Sequence, residues 1–291
     1  MYIKIKKYIK KIIIKIFNIK YDLSYHDFLI ELQNYSLVSK KKIRLEFYNN
    51  NIIINHENYK FLYNHKKQLA SMLGHHDLSI DFLKKNIKKE TILIDIGSSI
   101  GYFSINLAKH LKYVYCFEPD QSRYLFLNQH IELNNINNIE SHNLAIGSKS
   151  KKIFKTINLW EHDYILDDKT KNNDFEEVIQ ESLDKFVSKR NFNKNFKYFV
   201  KIDVEGFKYE CLIGMQNFIL NYDCLLFIEI NENHLNRYEK SFLDIFEFLS
   251  KNNYNCNHYI DSKKISKFDE NTKNLKNFKN SFNYIFTKNI L

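Results

Sequence analysis

Residues 91–103, with the sequence TILIDIGSSIGYF, constrain the fold of this chain more than any other stretch. An apolar, β-branched run leads to an acid at Asp95, and two glycines follow at Gly97 and Gly101. Such a run, bounded by glycine, is typical of a buried strand in a parallel sheet. Glycine permits a tight turn, and a following helix directs its free N–H groups toward the same point. The stretch therefore predicts a ligand loop at the carboxyl end of a strand, with a plain strand-to-helix turn as the alternative.

Beyond this stretch, short apolar runs alternate with helical patterns, which predicts an α/β fold with a mostly parallel sheet. After the strand that begins at Thr91, strands are predicted at 113–117, 139–144, 198–202, 224–228, 254–260 and 282–287. The polar residues 150–180 are predicted to form an irregular insert. The strands and helices of this pattern are predicted to form one domain, residues 91–291. Residues 1–90 are predicted to precede it as an N-terminal extension or cap.

The N-terminal extension carries two patterns of its own. Residues 1–20 alternate Lys with Ile and Tyr, which is typical of an ordinary first helix or of a basic segment that contacts an anionic membrane surface. Two β-rich runs within residues 42–55 flank an Asn cluster at 49–51 and predict a hairpin.

The amino-acid composition indicates which partners the protein could bind and which cellular compartment it occupies. The formal net charge of +10 is compatible with a nucleic-acid partner. However, Lys, Asn and Ile are over-used together while Pro, Gly and Arg are scarce, a bias that an AT-rich genome would produce without selection for phosphate binding. The four cysteines have no metal-ligand or redox spacing and predict a reducing compartment, which we take as the cytoplasm. The chain has no run of apolar residues long enough to predict a membrane-spanning helix.

Acidic side chains follow four of the predicted strands: Asp95, Glu118, Asp203 with Glu205, and Glu229. Because a buried acid is costly unless it is paired or used, their repetition indicates a site at the carboxyl edge of the sheet. Glu118 follows Asp95 at about the separation, roughly 20 residues, at which a second-strand acid reaches a ribose diol. A carboxylate there accepts hydrogen bonds from the diol and repels a phosphate, which favours an adenosine ligand. A surface or helix-capping carboxylate is the alternative for each acid taken singly.

The glycine loop narrows the class of ligand further. It lacks the G-x-G-x-x-G fingerprint of dinucleotide sites, and no Walker lysine follows it. An acid before the loop suits a ligand that carries an ammonium group and no phosphate. S-adenosylmethionine has this chemistry.

Five segments together carry a family resemblance: DIGSSIGYFS at 95–104, FEP at 117–119, NLAIG at 143–147, SLD at 182–184 and VKIDVEG at 200–206. In order and spacing they resemble the FkbM family of methyltransferases over residues 91–230. The resemblance implies the seven-strand, Rossmann-like sheet of class I methyltransferases, S-adenosylmethionine as cofactor, and O-methylation, often of a sugar hydroxyl. It also departs from the family at Ser98 and Ser99, where Ala-Asn is frequent.

The resemblance implies a set of cofactor contacts. Asp95, Gly97 and Gly101 would line the methionine end, and Glu118 would bind the ribose. The adenine edge would be formed by Asn143, Leu144 and Ala145. Ser98, Tyr102, Phe103, Pro119 and Asp203 complete the predicted cofactor-binding residues.

Methyl transfer to a hydroxyl needs a group that removes the hydroxyl proton. We hypothesise that Asp203 or Glu205 is this base or binds a divalent metal that acidifies the hydroxyl. The alternative is that Asp203 contacts only the methionine moiety and Glu205 caps a helix. Glu229, Asn231 and His234 are candidates to line the acceptor pocket. His234 is also a third candidate for the base, with a solvated loop histidine as its alternative. Lys201 is predicted to be structural.

The sequence therefore predicts a cytoplasmic, S-adenosylmethionine-dependent O-methyltransferase that acts on a sugar or glycan. An RNA methyltransferase and a non-catalytic adenosine-binding or scaffold protein on the same fold are the alternatives.

Overall fold

The computed structural model describes residues 43–48, 51–56, 58–63, 77–156, 165–166, 175–260, 264–268 and 282–288. They belong to two compact units, residues 1–74 and residues 75–291. The basic segment at 1–20, with its predicted membrane contact, lies outside the described residues. None of the helices that the structure describes has the length and apolar character needed to cross a membrane. The division of the chain at residue 90 stays a prediction.

The described part of the first unit is a three-stranded antiparallel sheet. Its strands are β1 (Ile43–Tyr48), β2 (Asn51–His56) and β3 (Tyr59–Tyr63), in that order. The predicted hairpin is confirmed, since Phe47 pairs with Ile52 across the Asn cluster. The third strand was not predicted. Its Tyr59 and Phe61 alternate on one buried face.

The second unit alternates strands and helices. Its helices are α1 (Asp77–Asn86), α2 (Tyr102–Ala108), α3 (Gln121–Leu133), α4 (Leu183–Ser188), α5 (Lys208–Gly214), α6 (Gln216–Asn221), α7 (Glu232–Leu235) and α8 (Phe242–Lys251). Its strands are β4 (Ile92–Ile96), β5 (Tyr113–Phe117), β6 (Ile139–His142), β7 (Ala145–Ile146), β8 (Lys151–Thr156), β9 (Ile165–Leu166), β10 (Phe175–Glu181), β11 (Lys197–Ile202), β12 (Asp223–Ile230), β13 (Tyr254–Ile260), β14 (Ile265–Lys267) and β15 (Phe282–Lys288).

The main sheet has the predicted mostly parallel α/β architecture. Its strand order is β14-β13-β15-β12-β11-β4-β5-β6. The five strands from β12 to β6 are parallel, and β15 lies antiparallel between β12 and β13. All seven predicted strands are present, and the short β14 adds an eighth at the edge. Because five parallel strands end on the same side, their carboxyl ends form one edge of the sheet, which we call the carboxyl edge.

The prediction of an irregular insert at 150–180 is wrong for the residues that the structure describes there. β8 and β10 pair as antiparallel strands, with Ile153 opposite Val178, in a second sheet ordered β7-β10-β8-β9. Ile153 and Val178 are buried, whereas most of the other residues of β8 and β10 are polar. A strand with only one covered face alternates polar and apolar residues, so this stretch lacks the apolar runs of the central strands.

The core of the second unit surrounds the central strands. All five residues of β4 are buried, as are the last five residues of β11. Cys116, Cys211 and Cys224 are free thiols buried in this core, as predicted from their apolar surroundings.

The SLD motif at 182–184 joins two helices. The Ser182 side chain accepts the backbone N–H of Lys185 and caps α4. The Asp184 carboxylate accepts the backbone N–H groups of Asn217 and Phe218 at 3.0 and 2.7 Å, at the start of α6. One acid therefore satisfies two N–H groups that a helix start leaves without intrahelical partners.

We expect Asp184→Ala to lower the free energy of unfolding by about 1–2 kcal/mol, because it removes this cap. Asp223→Ala is the matched control, since Asp223 forms an exposed ion pair with Lys197 and such pairs contribute about 0–1 kcal/mol. Urea unfolding of both variants measures the difference. Equal losses in the two variants would contradict the capping role.

Candidate functional site

The glycine loop after β4 is bound to the end of β5. The N–H groups of Gly97 and Ser98 donate to the Phe117 carbonyl at 2.9 and 3.1 Å. Gly97 and Gly101 have φ values of 79° and 82°, a conformation that favours glycine. A Cβ atom on Gly97 would lie 2.1 Å from the Asp203 carbonyl oxygen, so the loop also packs directly on the chain that follows β11.

Glu118 organises the loop from the end of β5. Its side chain is buried, and its two carboxylate oxygens accept the backbone N–H groups of Ser99 at 2.8 Å and Asp120 at 2.9 Å. Burial raises the pKa of Glu118 above its ordinary value. Each carboxylate oxygen has two lone pairs, so the same group keeps acceptor capacity for a diol.

The predicted adenine edge lies beside Glu118. The Asn143 side chain donates to the backbone carbonyls of Glu118 and Pro119, both at 3.0 Å. Asn143 is exposed, Leu144 is half-buried, and Ala145 is buried in β7 of the second sheet. The hydrogen bonds of Asn143 therefore join the two stretches predicted to contact adenosine, the end of β5 at Glu118 and the chain at Asn143–Ala145.

Several predicted cofactor residues direct their side chains into the protein. Asp95 has no exposed surface and accepts a hydrogen bond of 2.6 Å from the Ser104 hydroxyl. Phe103 packs in the core on Phe199 and Phe227. Tyr102, like Phe103, belongs to the wholly buried α2. Because the side chains of Tyr102 and Phe103 point inward, these two residues can contact a cofactor only through their backbone groups at the start of α2.

Ser98 also faces the interior. Its side chain is buried near the Cys116 thiol. Burial raises the pKa of this thiol above its ordinary value, and the hydroxyls of Ser104 and Ser98 offset only part of that rise. The serine that departs from the family pattern thus contacts the core behind the loop.

Glu205 and His234, two predicted catalytic residues, lie together. The His234 Nδ1 atom is 2.5 Å from Glu205 Oε2, and the His234 Nε2 atom is 3.5 Å from the Asn231 side-chain nitrogen. His234 is buried in α7, so the alternative interpretation of this residue as a solvated loop histidine is wrong.

Gly206 explains why α7 and the chain after β11 can approach so closely. Its φ is 87°, and an added Cβ atom would lie 2.2 Å from the His234 carbonyl oxygen. A residue with a side chain at this position would push α7 away and separate Glu205 from His234.

Asp203 lies next to Lys201, which the sequence did not assign to the site. The Lys201 ammonium is 3.2 Å from Asp203 Oδ2 and 3.2 Å from Asp95 Oδ1. Burial alone would lower the pKa of Lys201, but the charges of Asp203 and Asp95 raise it above its ordinary value.

Lys208 is a second basic residue that sequence reasoning missed. It has no exposed surface, and its ammonium lies 2.7 Å from Glu229 Oε2 while donating to the Val204 carbonyl. The available signal was a lysine at the start of an apolar helix together with an acid at the end of a strand. Their distance in sequence concealed the pairing.

Among the residues that the structure describes, no group of three or more His, Cys, Asp or Glu side chains is arranged to hold a metal ion. The hypothesis of a metal at Asp203 and Glu205 therefore has no support from a ligand cluster in the described residues.

The family model described as "Methyltransferase FkbM domain" matches residues 95–256, more than half of the chain. The chain therefore belongs to the FkbM family of methyltransferases, as its motifs predicted. Methyl transfer is the reaction class of this family. No curated protein matches the sequence significantly.

Solved structures with a similar fold share little sequence with this chain. An FkbM methyltransferase from Methylobacillus flagellatus KT is 16% identical, with a TM-score of 0.45, over 69% of this chain and 44% of that chain. The chain thus spans less than half the length of that protein. An rRNA methylase from Streptococcus thermophilus is 15% identical over 72% of this chain and 94% of its own, with a TM-score of 0.41. TrmK from M. capricolum, in complex with S-adenosylhomocysteine, is 14% identical over 73% and 69%, with a TM-score of 0.42.

We expect Gly206→Ala to lower the free energy of unfolding by about 2 kcal/mol or more, because left-handed backbone costs alanine about 1–2 kcal/mol and the Cβ atom meets a backbone carbonyl. Gly147→Ala is the control for a side-chain clash without left-handed backbone, since its Cβ atom would lie 2.5–2.7 Å from the Gln180 side-chain amide rather than from a backbone carbonyl. Urea unfolding compares the two. A Gly206→Ala variant as stable as the control would contradict the packing described for this loop.

Proposed function

We propose that this methyltransferase is a cytoplasmic enzyme that transfers a methyl group from S-adenosylmethionine to a hydroxyl of a sugar or glycan. The observation that carries the proposal is the contact between His234 and Glu205 at the carboxyl edge. A histidine oriented by a carboxylate is suited to remove a proton from a hydroxyl.

The residues of the edge fit S-adenosylmethionine. The Glu118 carboxylate is suited to the ribose diol, and the chain at Asn143–Ala145 to one edge of the adenine. The glycine loop and Asp203 are suited to the methionine moiety, whose ammonium an acid attracts. When bound, S-adenosylmethionine supplies an electrophilic methyl group.

His234 is the proposed general base. The Glu205 carboxylate beside Nδ1 favours a proton on that nitrogen and leaves Nε2 as the acceptor. Nε2 then takes the proton that the acceptor hydroxyl releases during methyl transfer. Glu205 stabilises the imidazolium that results, and the Asn231 amide near Nε2 helps to orient the ring. In this assignment Glu205 orients the base and is not itself the base.

The charges of the edge favour a neutral acceptor over RNA. Asp203 and Glu205 keep partly exposed carboxylates after β11, where they repel phosphates, whereas Glu229 on β12 is paired with Lys208. The lysines among them, Lys201 and Lys208, are buried against acids and are not presented to a phosphate backbone. Since phosphate contacts dominate RNA affinity, this arrangement supports a sugar hydroxyl as the acceptor.

The experiment that tests the proposal is mass spectrometry of acceptors incubated with the protein and S-adenosylmethionine. A panel of neutral glycans and a panel of structured RNAs are compared. We expect one added methyl group on a glycan hydroxyl. Methylated RNA would overturn the choice of acceptor, and absence of cofactor binding in a parallel titration would favour the scaffold alternative.

Once an acceptor is found, we expect His234→Ala to lower kcat by about 100-fold to 10,000-fold, the usual contribution of a general base. Cofactor affinity should stay unchanged, because His234 lies on the acceptor side of the edge. Glu205→Gln should lower kcat less, since the imidazole remains. His110→Ala, which removes an exposed histidine after α2, is the matched control. Wild-type kcat in His234→Ala would exclude His234 as the base.

A further inference from the structure

Lys201 places one buried cation between two carboxylates. Its ammonium lies 3.2 Å from an oxygen of Asp95 and 3.2 Å from an oxygen of Asp203, and 3.4 Å from the Gly97 carbonyl. These contacts join β4, the glycine loop and the chain after β11. Lys201 is therefore at the centre of the part of the edge proposed to hold the methionine moiety.

The two acids differ in their exposure. The Asp95 side chain is 0% exposed, whereas the Asp203 side chain is 30% exposed. The second oxygen of Asp95 accepts the Ser104 hydroxyl, and that hydroxyl in turn contacts the Cys116 thiol at 3.2 Å. Asp95 is thus enclosed by protein, while Asp203 keeps a surface toward the edge.

A wholly buried carboxylate is strongly destabilised unless a cation neutralises it. Among the described contacts of Asp95, Lys201 supplies that cation. If the ammonium were removed, Asp95 would lose this partner, and the contacts that tie Asp203 to Asp95 and to the Gly97 carbonyl would be lost with it.

We infer that Lys201 is a positioning residue of the cofactor site: its ammonium fixes the Asp203 carboxylate beside Asp95 and the glycine loop, where that carboxylate accepts the ammonium group of S-adenosylmethionine. The inference rests on the proposed function, since it concerns the proposed cofactor. The ionisable groups that face one another here are Lys201, Asp95, Asp203 and Cys116. Lys201 also lies 5.4 Å from the centre of the Phe103 ring, which covers its other side.

The test is calorimetric titration with two ligands. S-adenosylmethionine carries the ammonium group, and 5′-methylthioadenosine has the same adenosine but lacks the amino-acid part. We expect Lys201→Met to weaken S-adenosylmethionine binding at neutral pH by about tenfold or more, the loss typical of a charged hydrogen bond. Binding of 5′-methylthioadenosine should change by less than about twofold, because it makes no contact with Asp203.

The double variant Asp95→Asn/Lys201→Met removes both buried charges together, which proteins tolerate better than the loss of one partner. It should bind 5′-methylthioadenosine like the wild type but keep the loss of S-adenosylmethionine affinity, and it carries the test if thermal unfolding shows that Lys201→Met alone does not fold. A folded double variant that binds both ligands as tightly as the wild type would overturn the inference. So would wild-type affinity in Lys201→Met, or equal losses for both ligands. A wild-type protein that binds neither ligand would overturn the proposed function instead, and the inference with it.

Discussion

The carboxyl edge of the main sheet gathers acids where burial makes an unpaired charge cost several kcal/mol. Each of the following acids has a partner that lowers this cost. Asp95 is paired with Lys201 and Glu229 with Lys208, whereas Glu118 accepts hydrogen bonds from two backbone N–H groups. Glu205 lies against His234. Because the partners come from different elements, these pairings bind the glycine loop, the ends of β5, β11 and β12, and two helices into one arrangement.

These pairings also divide the edge into two functional halves. Glu118 and the glycine loop face the side that we propose for the cofactor, and their hydrogen bonds are made by backbone groups that hold the loop closed on β5. Glu205 and His234 belong to the side proposed for the acceptor. Gly206 joins the halves, since its lack of a side chain lets α7 approach the chain that begins at Asp203. The proposed donor site and the proposed base are thereby supported by the same short segment.

The sequence predicted the architecture well because it depends on local patterns. Apolar runs predicted all seven main strands, and the glycines marked the loop. The pairings were harder to predict. Lys201 and Asp95 are separated by 106 positions, and a lysine within a strand otherwise indicates only an exposed position. β8 and β10 were missed because a one-sided strand alternates polar residues, and β14 because it has only three residues. The close approach of the His234 carbonyl to Gly206 is a relation that neither residue shows by itself.

The acids and the glycine loop of the carboxyl edge are proposed to form a binding site for an adenosine-containing methyl donor. A crystal structure of the protein with S-adenosylhomocysteine tests this most directly. We predict both ribose hydroxyls within hydrogen-bond distance of the Glu118 carboxylate, the adenine along Asn143–Ala145, and the amino group at Asp203. Adenosine bound away from Glu118, or an amino group that contacts neither Asp203 nor the glycine loop, would contradict it.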